Sequence, residues 1–303
     1  MRQFSLDFQP SSGPPPDVPH SADAPETGRV SAASRLDAEA IVAGLNEAQR
    51  EAATALDGPV LIIAGPGSGK TRTLTHRIAY LLATGRAKPW QVLALTFTNK
   101  AAREMQERIR SLVGEQAARA LTMGTFHSVF ARLLRVEASA IGYSRDFSIY
   151  DPDDTERVLK SLMERFRIDP KQHPVRSLRG LISSAKNSMV GPQEYGRFVS
   201  SEQQEKAATL YGPYEELLRQ SNAMDFDDLL LKPIQLFEQH PDVLAKYQDK
   251  WRYLHIDEYQ DTNHAQYIVS KMLAARHHNL CVVGDDAQSI YAFRGADISN
   301  ILS

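Results

Sequence analysis

The stretch VLIIAGPGSGKT, residues 60–71, decides the fold of this 303-residue chain. Its first five residues form a short, wholly apolar run that ends in glycines, which is typical of a strand buried on both faces. Residues 71–82 then place Leu74, Ile78 and Leu81 on one stripe, as an amphipathic helix requires. The chain therefore passes from a buried strand through a glycine-rich loop into a helix.

The loop in this stretch has the residues of a phosphate-binding loop. Small residues let backbone N–H groups close round phosphate oxygens, and the helix N-terminus adds its positive end. In this pattern Lys70 reaches the β- and γ-phosphates of a nucleoside triphosphate, and the Thr71 hydroxyl holds Mg²⁺. Alanine stands where the strict pattern has its first glycine. The predicted phosphate-binding residues are Ala64, Gly65, Pro66, Gly67, Ser68, Gly69, Lys70 and Thr71.

A second apolar run supplies the acidic half of such a site. Leu254, His255 and Ile256 lead directly into Asp257 and Glu258. Parallel sheets place their ligands at the carboxyl ends of strands, so these two carboxylates are expected beside the phosphate loop. We predict that Asp257 contacts the magnesium shell and that Glu258 orients or deprotonates the attacking water.

Strand and helix patterns alternate at both ends of the chain. Residues 91–97 predict a strand and residues 100–112 a helix, while residues 251–256 and 280–283 predict two further strands. Residues 146–222 instead have helical periodicity. The sequence therefore predicts an α/β fold, a parallel sheet flanked by helices, with an inserted all-helical subdomain.

The first forty residues differ in composition from the rest. They hold six of the sixteen prolines and few large apolar residues, so they cannot bury enough surface to offset their ordering entropy. We predict a disordered, proline-rich tail over residues 1–40. Phe4, Leu6 and Phe8 are the residues in it that could form a short docking element.

Composition excludes several classes of protein. The apolar fraction is 42% and the charged fraction 24%, as in ordinary globular chains, and no run approaches the ~18 apolar residues of a membrane span. Cys281 is the single cysteine, which excludes a disulfide framework and fits a reducing, cytoplasmic setting. The net charge is −2, so nucleic acid would have to bind at a local surface.

A run of basic residues in the predicted insertion could supply such a surface. Its only acid is Asp169, and it is either a solvated face or a phosphate-tracking surface. The basic residues are Arg165, Arg167, Lys171, Arg176, Arg179 and Lys186.

Six motifs, in order along the chain, choose among the many P-loop ATPases. They are LNEAQ (residues 45–49), TFTNKAA (residues 96–102), GTFHS (residues 124–128), MDFDDLL (residues 224–230), DEYQDTN (residues 257–263) and VGDDAQSIYAFRGAD (residues 283–297). Together these resemble the UvrD/Rep-like superfamily 1 DNA helicases. The resemblance covers residues from about 45 to 303.

The resemblance implies a RecA-like domain at residues 41–145 plus 223–303, carrying an inserted helical domain at residues 146–222. ATP would drive 3′ to 5′ translocation along single-stranded DNA and separation of single-strand/duplex junctions, in repair, recombination or replication restart and with repair proteins as partners. Gln49 would read the adenine, Arg72 would lie near the nucleotide, and Gln288 would act in catalysis by linking the γ-phosphate to DNA. The implied DNA contacts are Phe97, Thr98, Asn99, Thr125, His127, Tyr291 and Phe293.

The phenylalanines in this set have two readings. Aromatic faces suit sequence-tolerant binding of single strands, because every base has a π-face. From position alone a phenylalanine is more often part of the core. The resemblance favours stacking for Phe97 and Phe293.

The family's second RecA-like domain has no counterpart in these 303 residues, which leaves three functional hypotheses. The first is the ATPase half of a DNA helicase. The second is a module that binds ATP and DNA without efficient turnover, and the third is the motor part of a helicase–nuclease. RNA is a less favoured substrate on the same resemblance.

Overall fold

The computed structural model describes residues 1–6 and 37–285. Within them, six parallel strands form one sheet in the order β1-β2-β8-β7-β3-β4, and two short parallel strands form a second sheet, β5-β6. The strands are β1 Arg2–Leu6, β2 Val60–Ala64, β3 Val92–Thr96, β4 Thr122–Thr125, β5 Ser148–Tyr150, β6 Ala223–Asp225, β7 Tyr253–Ile256 and β8 Leu280–Gly284. The predicted parallel sheet is confirmed.

Helices connect the strands and cover the main sheet. They are α1 Ala38–Val42, α2 Glu47–Thr54, α3 Lys70–Ala83, α4 Asn99–Val113, α5 Glu115–Ala120, α6 Phe126–Glu137, α7 Pro152–Arg165, α8 Val175–Asn187, α9 Pro192–Tyr195, α10 Glu202–Gln220, α11 Asp228–Gln239, α12 Pro241–Lys250 and α13 His264–Ala274. Short 3-10 turns lie at Pro89–Gln91, Ala138–Ile141, Gly196–Phe198 and Tyr259–Asp261.

The sheet separates two apolar cores. In β2, the side chains of Val60 and Ile62 pack with α1–α5, whereas Leu61 packs with α6 and α11–α13 on the opposite face. In β3, Ala94 packs in the same core as Val60, and Leu95 packs in the same core as Leu61. Successive side chains of a strand point to opposite faces, so apolar residues at consecutive positions are what a sheet buried on both sides requires.

The predicted insertion contains four helices, α7 to α10, with a core of their own. Leu159, Leu178, Leu210 and Tyr214 are among its buried residues. The prediction of helices alone is wrong at Ser148–Tyr150, which pairs in parallel with Ala223–Asp225. A three-residue strand is too short to give a periodic signal, and its partner lies more than seventy residues along the chain. The domain boundaries stay a prediction.

The N-terminal residues correct the prediction of a disordered tail. Arg2–Leu6 forms the edge strand β1, which pairs in register with β2 from Arg2 opposite Val60 to Leu6 opposite Ala64. Leu6 is buried and Phe4 packs against the core, so this part of the predicted docking element is confirmed. Helix α1, capped by Asp37, also begins inside the predicted tail. Composition averaged over forty residues conceals a strand of five.

Residues 7–36, with Phe8, lie outside the described part of the chain, as do residues 286–303. In the helices that the structure describes, none has both the length and the apolar character needed to cross a bilayer.

Candidate functional site

Three adjacent strands bring the predicted nucleotide site together. Strands β2, β8 and β7 are neighbours in the sheet, and the P-loop, Asp285 and the Asp257–Glu258 pair follow their carboxyl ends. The Lys70 Nζ lies 3.3 Å from Glu258 Oε2 and 3.2 Å from Asp285 Oδ2. The Thr71 hydroxyl donates to Asp257 Oδ2 at 3.2 Å. Residues 186 to 215 positions apart in the sequence therefore form one cluster.

The P-loop has the backbone that its glycines permit. Gly67 and Gly69 have φ values of 77° and 86°, in the left-handed region that other residues avoid. A Cβ on Gly69 would come within 2.8 Å of Gln49 Nε2, so a side chain there would strain the backbone and also displace the Gln49 amide. The Ser68 hydroxyl closes the loop by donating to the Gly65 carbonyl at 2.7 Å.

Two further predicted residues lie beside the P-loop. Gln49 is buried in helix α2, and its amide donates to the Ser68 carbonyl at 2.9 Å. Arg72 is exposed in the first turn of α3 and donates to the Gly44 carbonyl at 2.8 Å. The Gln49 side chain thus contacts the P-loop, whereas the Arg72 side chain contacts the segment between α1 and α2. Their roles towards a base or sugar stay predictions.

The two adjacent carboxylates have different environments. Asp257 is buried, and its burial, together with the neighbouring Glu258 carboxylate, raises its pKa above the ordinary value. Glu258 is partly exposed and has a left-handed backbone, with φ 51°. That conformation costs a non-glycine residue about 1–2 kcal/mol. It turns the chain sharply after β7, so that the two side chains occupy different places at the site.

Sequence reasoning missed Asp285 and Gln260. Asp285 is buried at the end of β8 beside Lys70, and its backbone N–H donates to Gln260 Oε1 at 3.1 Å. Gln260 Nε2 in turn donates to Glu258 Oε2 at 2.7 Å. The signal for Asp285 was present, because an acid directly after a strand predicted to be parallel belongs at the same edge as Asp257.

The predicted DNA contacts from two motifs lie at the ends of β3, the neighbour of β7 in the sheet, and of β4, the edge strand beside β3. Thr98 caps α4 by accepting from the Ala101 N–H, and Asn99 is exposed. Thr125 caps α6, where it accepts from the Ser128 N–H. The Phe97 ring is half-buried, with its centroid 5.8 Å from that of the core residue Phe126. Both readings of Phe97 therefore have structural support.

A second aromatic residue on this surface was not predicted. Phe226 is 49% exposed, and its ring centroid lies 5.7 Å from that of His127. Burial lowers the pKa of His127, which keeps the imidazole neutral at pH 7. An exposed phenylalanine beside a neutral histidine forms an uncharged aromatic patch. Its sequence signal was the Phe226 side chain between two acids in MDFDDLL, where burial is not expected.

The remaining predicted site residues are Gln288, Tyr291 and Phe293, which lie outside the described residues.

The six residues of the basic run differ in exposure. Arg165, Arg167, Lys171 and Arg176 are exposed, and Arg179 is partly buried and pairs with Glu156. Lys186 is only 1% exposed and is paired with buried acids, so it cannot contact a phosphate backbone. The exposed group leaves both readings of this surface open.

Comparison with known proteins adds an independent line of observation. The family described as "UvrD/REP helicase N-terminal domain" matches residues 45–303. The chain is 49% identical over 263 residues to the ATP-dependent DNA helicase PcrA of Bacillus subtilis (strain 168). That match covers 87% of this chain and 36% of that protein. It is 50% identical over 264 residues to the ATP-dependent DNA helicase PcrA of Staphylococcus aureus (strain Mu50 / ATCC 700699), with the same two shares.

A third relative agrees with these two. The chain is 47% identical over 268 residues to the ATP-dependent DNA helicase PcrA of Leuconostoc citreum, covering 88% of this chain and 36% of that protein. The chain thus spans just over a third of the length of the curated relatives it matches.

Proposed function

The chain belongs to the UvrD/REP helicase family, and we propose that it is the nucleotide-binding half of an ATP-dependent DNA helicase. One observation carries the proposal. Lys70 and Thr71, at the start of α3, face Asp257, Glu258 and Asp285 within hydrogen-bonding distance. A lysine and a hydroxyl opposite paired carboxylates form the two halves of a site that holds and hydrolyses a nucleoside triphosphate.

The donor atoms beside Thr71 fit Mg²⁺. The Thr71 hydroxyl and the Asp257 carboxylate supply two oxygens 3.2 Å apart, and oxygen ligands are what this cation takes. Burial raises the pKa of Asp257, because it disfavours the charged form of the carboxylate. A cation beside the carboxylate would favour that charged form. When bound, Mg²⁺ would neutralise charge that develops on the phosphates.

The other side chains then have separate roles. Lys70 would turn from its partly exposed partner Glu258 to the terminal phosphates, which offer it charge-assisted contacts. Glu258 is not held by Thr71, so its carboxylate is the one available to orient and deprotonate the attacking water. Gln260 fixes the Glu258 side chain through its 2.7 Å hydrogen bond.

Single-stranded DNA is the polymer that we propose for the surface beyond β3 and β4. Phe97, His127 and Phe226 present aromatic faces there, and Asn99 offers an exposed amide. Stacking platforms of this kind bind bases without reading their sequence. Because β3 is the neighbour of β7 in the sheet, this surface adjoins the nucleotide site.

The finer parts of the proposal derive from the family resemblance. They are 3′ to 5′ movement, action at single-strand/duplex junctions, a role in DNA repair or replication restart with repair proteins as partners, a cytoplasmic location, and a second RecA-like domain that closes on the nucleotide. The motor of a helicase–nuclease would use the same site, and a module without efficient turnover would keep its binding functions.

Measured affinities test the proposal directly. We expect the chain to bind Mg-ATP and a single-stranded oligonucleotide, and Lys70→Ala to abolish tight nucleotide binding while DNA binding persists. Fluorescence anisotropy with a labelled nucleotide and a labelled oligonucleotide measures both. Nucleotide affinity that is unchanged in Lys70→Ala would refute the assignment of the P-loop.

A further inference from the structure

The C-terminal end of helix α8 connects the insertion to the nucleotide side of the sheet through one side chain. Asn187, the last residue of α8, donates from Nδ2 to Asp227 Oδ1 at 2.9 Å. Its Oδ1 accepts from Asn263 Nδ2 at 2.6 Å. Asn263 and Asp227 belong to different motifs of the sequence, and the Asn187 amide therefore joins them.

Asn263 is tied closely to the catalytic acid. It caps helix α13 by accepting from the Gln266 N–H, and it follows Glu258 by five residues. The residues between form a 3-10 turn, in which the Asp261 N–H donates to the Glu258 carbonyl at 3.0 Å. Only this one tight turn separates the Glu258 backbone from Asn263, so a change in the backbone at Glu258 can shift the Asn263 side chain.

The other end of the connection lies on the aromatic patch. Asp227 directly follows Phe226, whose ring faces His127, and precedes helix α11. Asp227 is partly buried, and its burial together with the nearby Asp225 carboxylate raises its pKa. A carboxylate in such a place depends on its donors, so the Asn187 amide restrains the orientation of the Asp227–Phe226 segment.

A buried ion cluster fixes the helix end that carries Asn187. The Nζ of the adjacent Lys186 lies 2.8 Å from Glu215 Oε1, 2.8 Å from Asp225 Oδ2 and 2.9 Å from Asp228 Oδ1. These three carboxylates have the spacing of a metal site, but the ammonium group of Lys186 stands among them. Lys186 thus anchors the end of α8. The Asn187 amide, which also donates to the Ser183 carbonyl of its own helix at 2.9 Å, supplies the connection.

We propose that Asn187 is a positioning residue that couples the nucleotide site to the single-strand surface, through hydrogen bonds to Asn263 on one side and to Asp227 on the other. The inference rests on the proposed function. It adds that the insertion takes part in the coupling, since Asn187 belongs to it and Asn263 and Asp227 do not. When bound nucleotide changes the turn after Glu258, the Asn263 side chain shifts. The Asn187 amide transmits that shift to Asp227 and Phe226.

The test is a thermodynamic cycle, because coupling between two sites is a ratio of affinities and is reciprocal. The affinity of the chain for a fluorescein-labelled oligothymidine is measured with and without a saturating, non-hydrolysable Mg-ATP analogue. We expect the two affinities to differ by about fivefold or more in the wild-type chain, within the usual range for coupled sites. In Asn187→Ala the ratio should fall below about twofold while each separate affinity stays within about twofold.

Three further variants make the result specific. Asn263→Ser keeps a good helix cap but removes the amide that reaches Asn187, so it should lose the same coupling. The double variant should lose no more than either single one, because all three remove one connection. Ser184→Ala, an exposed position on the same helix, is the matched control and should keep wild-type coupling.

The possible outcomes are distinct. A wild-type chain that binds neither ligand refutes the proposed function itself. A wild-type chain that binds both ligands refutes the inference if its coupling survives in Asn187→Ala or if it has no coupling at all. Loss of both separate affinities with a lowered melting temperature in Asn187→Ala and Asn263→Ser gives Asn187 a purely structural role and also overturns the inference.

Discussion

Lys70 and Glu258 form an ion pair across the nucleotide site, with the Lys70 Nζ 3.3 Å from Glu258 Oε2. The same nitrogen lies 3.2 Å from Asp285, so the ammonium group stands between two carboxylates where phosphate oxygens are expected. Nucleotide binding must break at least one of these contacts. The site is therefore poised between an acid-bound and a phosphate-bound position of Lys70.

Glu258→Gln should separate binding from hydrolysis. The amide cannot accept the proton of the attacking water, so turnover in the domain-complete protein should be lost. Affinity for Mg-ATP should stay the same or rise, because Lys70 loses a competing partner and the phosphates lose a like-charged neighbour. Steady-state ATPase assays measure the turnover, and equilibrium binding measures the affinity for Mg-ATP. Turnover that survives the change would show that Glu258 is not the base.

Replacement of the two aromatic residues should have different consequences. Phe226→Ala should weaken binding of single-stranded DNA by about 1–3 kcal/mol if the ring stacks on a base. Its stability should change little, since half of the side chain is already exposed. Phe97→Ala should lower both DNA affinity and the melting temperature, because its ring packs on Phe126.

The readouts for this pair are oligonucleotide titration and thermal unfolding, with Mg-ATP affinity as the internal control. Both variants should keep that affinity. A Phe226→Ala chain with unchanged DNA affinity would remove Phe226 from the surface, and a destabilised Phe97→Ala chain with unchanged DNA affinity would return Phe97 to the core.

The buried cluster round Lys186 predicts a dependence of stability on pH. Burial and the neighbouring Asp225 carboxylate raise the pKa of Asp228 to about 7, whereas the unfolded value is near 3.9. A raised pKa means that the folded chain binds this proton more tightly than the unfolded chain does. The resulting stability is present in full below about pH 4 and is lost as the pH rises through 7.

Asp228→Asn should therefore flatten the profile between pH 6 and pH 8. Urea unfolding at pH 6, 7 and 8 gives the free energy of unfolding of each chain, and the difference between the chains isolates this group from the histidines. Asp225→Asn is the matched comparison. The pKa of Asp225 is lowered by Lys186, so its loss should destabilise the chain by about 3–5 kcal/mol at every pH in this range. Parallel profiles for wild type and Asp228→Asn would contradict the assignment.

The sequence predicted those parts of the site that short segments encode. The P-loop and the acids after β7 each lie in one strand and the residues that follow it, so local apolar patterning located them. Asp285 follows β8 in the same way, so the same patterning carried its signal. The contacts of Phe226 and Asn187 depend instead on which helix end meets which turn. Lys186 belonged to a basic run by composition, yet three acids from α10, β6 and α11 surround it. No local pattern distinguishes a buried lysine from an exposed one.

The last prediction concerns turnover by the 303-residue chain on its own, which we expect to be slow and little stimulated by DNA. Phosphoryl transfer spreads negative charge over the equatorial oxygens of the transferred group. In P-loop enzymes an arginine that stabilises this charge raises the rate by a factor of ~10³–10⁵. The described site offers Lys70 with Thr71, Asp257 and Glu258, and the family resemblance assigns the arginines to a second RecA-like domain. A steady-state ATPase assay with and without a single-stranded oligonucleotide measures the effect, with Glu258→Gln as the background. Strong stimulation in the purified monomer would mean that an arginine of this chain, such as Arg294, completes the pocket. Stimulation that grows with protein concentration would instead indicate an arginine donated by a second copy.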